Sequence, residues 1–156
     1  MIPSFGSLPG REETPPATAG APASVVYRLA RAADVKAARA AGALVGVPGL
    51  DEGFIHLSTG AQAISTAKLY FAGVDDLMLL AFSTAGLADA GLDLRFEEAA
   101  PPSGTASRGG EFPHVYGGPI PLDACMTDMV PLPLDEQSGD HCFPPMQCLE
   151  AGVLTI

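Results

Sequence analysis

The sequence predicts a single small α+β domain, with a split sheet of mixed or antiparallel strands and two helices near the N-terminus. Three observations carry that prediction. Strand and helix patterns alternate as β-α-β-α up to Phe71, and the remaining strand patterns bunch towards the C-terminal half. Leu77 to Phe82 is a continuous apolar run of strand length, far short of the ~20 residues a membrane helix needs. A chain of 156 residues can bury one real core without disulfide staples.

Residues 1–24 are rich in Pro, Gly, Ala, Ser and Thr and read as a disordered leader; Glu12 and Glu13 and the lack of a basic start argue against a targeting peptide. The packed domain is expected over 25–144, with a tail over 145–156. Val25 to Leu29 is a short strand. Ala32 to Ala41 is a helix with Asp34 near its start, Lys36 and Arg39 later, and Gly42 as its stop. Gly46 to Gly49, around Pro48, is a turn. Phe54, Ile55 and Leu57 form a compact strand ending at Ser58-Thr59.

Ala61 to Phe71 then reads as a second helix, with Ile64, Ala67 and Phe71 on one face. Thr59 and Gln62 have the three-residue offset of a capping box, in which each side chain meets a backbone amide at the helix start. The Leu77 run is a central strand. Leu92, Leu94 and Phe96 alternate with Asp93, Arg95 and Glu97, the period of a half-buried strand. Ala99 to Gly110 is a loop, and His114 to Tyr116 a short strand. Ala124 to Leu134 is another, placed at an edge by Pro131 and Pro133; little pattern follows Asp135.

Charge and cysteine usage narrow the function classes. The net charge is −10, all eight Lys and Arg lie at or before Arg108, and seven acids follow with no base. Duplex nucleic acid requires a basic face, so bulk nucleic acid is excluded as a partner, while a small molecule is not. Three cysteines without a Cys-x-x-Cys pair fit a reduced, cytoplasmic setting. Oligomeric state is not readable.

Two of the three histidines lie in strand patterns, each with a hydroxyl two residues on: His56 with Ser58, and His114 with Tyr116. Residues i and i+2 of a strand share a face. If the two strands are neighbours, the four side chains line one polar patch at the start of the second helix, whose free amides suit an anion. The imidazoles can donate hydrogen bonds or act as acid and base near neutral pH. Arg28 can point into the same patch, one residue of register deciding it. The bland alternatives are satisfied core histidines and a plain helix cap. A metal site using His56, His114 and His141 or an acid matches no zinc spacing, and Ser58 lacks a Gly-x-Ser-x-Gly elbow. The neighbours His141-Cys142 imply no pairing in space. Arg95 and Glu97 share a strand face and read as solvated or cross-paired surface.

Tyr27-Arg28-Leu29, the block Leu50 to Thr59 with Gln62, Leu94-Arg95-Phe96-Glu97, and Arg108 to Gly117 resemble the domain of unknown function 952 family of bacteria and plants, from about Val25 to Pro144. Phe96 stands where that family usually has tryptophan, and the loop from Ala99 to Ser107 is enlarged. The family resembles the ADP-ribosyltransferase fold, which implies a split sheet and a cleft for NAD. Leu57-Ser58-Thr59 is similar to the Ser-Thr-bearing strand of those enzymes, and His-Leu-Ser is also similar to the NAD-dependent RNA 2′-phosphotransferases. The resemblance implies His56 and His114 as catalytic imidazoles, with Arg28, Ser58, Thr59, Gln62 and Tyr116 around an NAD-type ligand. No catalytic glutamate is placed after the His114 block, which keeps open a non-catalytic binding or scaffold module.

Overall fold

A computed structural model describes residues 24–46, 51, 53–98, 111–152 and 154. The leader before Ser24, most of the Gly46–Gly49 turn and the 99–110 loop lie outside them. The elements run β1 (Val25–Arg31), α1 (Ala32–Ala41), β2 (Ala43–Leu44), β3 (Ile55–His56), α2 (Gly60–Tyr70), β4 (Leu77–Ser83), α3 (Thr84–Asp89), β5 (Asp93–Glu98), β6 (Glu111–Tyr116), β7 (Ile120–Pro121), α4 (Leu122–Cys125), β8 (Met126–Pro131) and α5 (Met146–Ala151). Among the described residues no helix is long and apolar enough to cross a membrane.

The first sheet has the order β8-β4-β1, all antiparallel, with the apolar run of β4 in the centre. Both of its faces are covered, which is why β4 lacks an alternating pattern. Val26, Leu80 and Phe82 face one core cluster with Val35, Ile55 and Val115, while Tyr27, Leu79 and Ala81 face another with Ala63, Ala67 and Leu149. The second sheet has the order β3-β6-β5, also antiparallel. Its inner face, with Leu94, Phe96 and Val115, packs on the first core cluster. A two-stranded ladder of β2 and β7 completes the fold. The two larger sheets meet at one bridge, where Tyr27 and Ser58 exchange both backbone hydrogen bonds at 2.7 Å.

Local chemistry accounts for the helices. Gly42 ends α1 at φ 78°, a conformation glycine adopts without steric cost, and returns its N–H to Ala38 and Arg39. The Thr59–Gln62 capping box starts α2. Three segments depart from expectation. Ser83 caps the unforeseen α3, its hydroxyl accepting from Gly86 N at 3.1 Å. The expected Ala124–Leu134 strand is shortened, because Leu122–Cys125 closes a helical turn, and β8 lies at the sheet edge with Pro131 as its last residue.

The third departure is α5, in the segment after Pro144 that carried no pattern. Leu149 is fully buried, and its carbonyl accepts the Tyr27 hydroxyl. Burial, with the charges of Asp128 and Cys148, pushes the Tyr27 phenol up to about 12. Gly60 at the start of α2 permits the contact: a Cβ there would stand 2.9 Å from Leu149 Cβ. Leu149→Ala is therefore expected to cost about 2–5 kcal/mol and Tyr27→Phe about 1 kcal/mol in urea denaturation. An unchanged midpoint for Leu149→Ala would mean that α5 is not part of the cooperative unit.

Candidate functional site

The outer face of the second sheet carries the site. Register pairs His56 with His114 and His114 with Arg95, so three polar residues stand in a row across β3, β6 and β5. The imidazole centroids are 4.9 Å apart, edge to face at 71°. The Phe54 ring packs on His56, His114 and Tyr116 at 4.7, 4.5 and 5.0 Å. Arg95 lies outermost, its guanidinium 4.5 Å from the Tyr116 ring centroid and its Nε donating to Asp93 at 2.7 Å.

Each imidazole is held by a carboxylate through Nδ1. His56 Nδ1 is 3.0 Å from Asp51 Oδ1, which also accepts the His56 backbone N–H at 2.9 Å. His114 Nδ1 is 2.9 Å from Glu97 Oε1, which also accepts the Tyr116 hydroxyl at 2.7 Å. Asp51 is in turn gripped by Arg28, whose Nη1 and Nη2 reach its two oxygens at 3.0 and 2.8 Å; Nη1 also donates to the His56 carbonyl at 2.8 Å. The Arg28 and Asp51 side chains are 6% and 1% exposed, so their charges must neutralise each other inside the protein. Such a two-point arginine–carboxylate contact fixes direction as well as charge.

The electrostatics follow. Burial alone would raise the Asp51 carboxyl, but hydrogen bonds from His56 and Arg28 and the Arg28 charge hold it well below the usual carboxylate range. Glu97 is lowered by the Tyr116 and His114 hydrogen bonds, and Tyr116 is raised by the same carboxylate. Burial pushes His114 down, with Glu97 opposing it. The His114 side chain is 3% exposed, and its Nε2 is buried without a partner among the described residues. The His56 side chain is 36% exposed, so this imidazole faces solvent.

Arg28, His56, His114 and Tyr116 thus converge. Ser58, Thr59 and Gln62 do other work: Ser58 forms the bridge to Tyr27, and the capping box takes up the amides of Thr59 and Gln62 that an anion was expected to meet. The Gln62 side chain also donates to the Glu111 carbonyl at 2.7 Å, tying α2 to β6. His141 Nε2 contacts the Val74 carbonyl at 2.7 Å. No group of three or more metal-ligating side chains occurs among the described residues. Asp51 and Phe54 were not singled out from the sequence, and Glu97 was read as solvated or cross-paired surface. Glu97 had a signal, since strand period puts it on the face of Arg95; Asp51 reaches the site through the path of its loop, which no periodicity encodes.

Fold and site together define a small α+β domain with two carboxylate-held imidazoles set side by side on a sheet. The family model for a protein of unknown function, DUF952, matches residues 29–127, more than half of the chain, and the protein belongs to that family. The crystal structure of protein CC0527 from Caulobacter crescentus is similar to it, with TM-score 0.61 and 34% identity over 76% of this chain and 93% of that one. The solution structure of CC0527 gives TM-score 0.56 and 37% identity over 72% and 88%. Among curated proteins none matches the chain.

Two outcomes follow. Asp51→Ala strands the Arg28 charge in the interior and is expected to cost about 3–5 kcal/mol, whereas Arg28→Met with Asp51→Leu should recover most of that loss in chemical denaturation. Unfolded histidine titrates near pH ~6.5, and His114 in the fold titrates lower. Between the two values the unfolded chain holds more protons, so the His114 contribution to stability is constant above pH ~7 and declines as pH falls below it. His114→Gln is expected to flatten that decline in melting curves; an unchanged slope would assign it to other groups.

Proposed function

We propose that the imidazole face is a small-molecule site of the ADP-ribosyltransferase type, taking NAD or an ADP-ribose fragment. The observation that carries this reading is the direct opposition of His56 and His114 across antiparallel strands, each oriented by its own carboxylate. A carboxylate on Nδ1 sets the ring direction, and His56, the solvent-facing member, is the acid–base group. His114 stands behind it. Arg28 holds the pair through Asp51, and Tyr116, with Phe54, offers an aromatic wall for a planar ring. Ser58, Thr59 and Gln62 shape the helix start beside it. The resemblance to the transferases asks for a glutamate near the ribose, and Glu97 supplies a carboxylate on this face, from the strand preceding His114 in sequence.

A scaffold module is the second reading, favoured by the burial of His114 and of the Arg28–Asp51 pair. Calorimetry separates the two. NAD, ADP-ribose or nicotinamide should release heat with the wild type, and His56→Ala should weaken binding at least ~10-fold, the loss of one good hydrogen bond, while the melting temperature stays within a few degrees. Silence from all three ligands at millimolar concentration, with a large stability loss in His56→Ala, would leave the scaffold reading standing.

A further inference from the structure

The hydrogen-bond chemistry of the two histidines specifies which part of a ligand they meet. A carboxylate can only accept, so the ring nitrogen facing it must carry the hydrogen. Asp51 faces His56 Nδ1, and Glu97 faces His114 Nδ1. Both rings are thereby set in the Nδ1–H form, and in the neutral imidazole the opposite nitrogen, Nε2, is then a bare acceptor. His114 Nε2 is also buried without any donor among the described residues. An unmet buried acceptor destabilises the fold, and a ligand's donor would recover that loss.

We infer that the His56–His114 pair is an acceptor pair that binds a neutral group carrying two hydrogen-bond donors, a vicinal diol or a primary carboxamide, and that it is not the anion end of the site. A phosphate or carboxylate placed here would face two lone pairs and the Glu97 charge. The inference rests on the small-molecule reading above and names the fragment recognised. Because His114 is covered, with the Phe54 ring packed on it at 4.5 Å, ligand entry displaces that ring.

The test starts on the unliganded wild-type protein, labelled with nitrogen-15 and observed above pH 7. Long-range correlation spectra should show both histidines with Nε2 unprotonated. A hydrogen on Nε2 of either ring disproves the inference whatever binds. Methyl ribofuranoside, nicotinamide, ADP-ribose, its 2′,3′-dideoxy analogue, pyrophosphate and zinc are then titrated separately. The riboside or nicotinamide should move the His114 Nε2 resonance, which tells diol from carboxamide, and pyrophosphate should not. If the riboside is the one that moves it, the dideoxy analogue should bind about tenfold more weakly than ADP-ribose. Pyrophosphate or zinc moving both Nε2 signals, with the donors silent, overturns the inference. ADP-ribose binding without any Nε2 response overturns it while sparing the NAD-type reading. A response to riboside or nicotinamide, with ADP-ribose and NAD silent, does the reverse. No response to any probe defeats both.

Discussion

A guanidinium in the middle of a buried strand has to find its counter-charge inside the protein, and Arg28 imposes that condition on everything around it. Six of the seven residues of β1 are buried, Arg28 among them. Asp51 answers it from the segment before β3 and holds the His56 amide and ring, while Arg28 donates to the His56 carbonyl, so the pair fixes that strand at His56. β3 spans two residues, too short to hold its own register by ladder bonds. The ion pair supplies the missing constraint. Had β3 slipped by one residue against β6, His56 would face the core and the imidazole pair would not exist. The charge pair is therefore better understood as a register device than as a source of stability, which buried ion pairs seldom provide.

How much was legible in the sequence divides along the same line. β1, α1, the capping box of α2 and the central position of β4 rest on local patterns, and each stands where those patterns put it. The neighbouring of the two histidine strands could be posed from sequence only as a condition, because strand pairing is a tertiary fact; register then supplied it. Asp51 and Phe54 were invisible as site residues, since the path of the segment preceding β3 places them. Glu97 was visible as solvated or cross-paired surface, not as a site residue. Its solvent-facing pattern is that of any surface acid, and only the diagonal reach to His114 and Tyr116 separates it from one. α5 is six residues long, too short for periodicity to register, though Pro144-Pro145 before it and Gly152 after it are the punctuation of a helix.

The chain belongs to the DUF952 family, whose model matches residues 29–127. The similarity to the Caulobacter crescentus protein covers 76% of this chain and 93% of that one. In this chain the chemistry is concentrated on one face of one sheet, while the other faces carry packing. That separation is the usual arrangement when a rigid layer presents a site.

The hydroxyl of Tyr27 bonds a carbonyl 122 residues further along the chain. Tyr27 also forms the bridge that joins the two larger sheets. During synthesis Tyr27 therefore leaves the ribosome well before Leu149, and its hydroxyl waits for that carbonyl until the segment through Leu149 has followed. Contacts of such long sequence separation form late and slowly. The strands of the two larger sheets are all made by Pro131, before α5, and α5 then packs on Tyr27 beside their bridge. The body under the imidazole face is thus tied by a contact that only a chain extended as far as Leu149 can make.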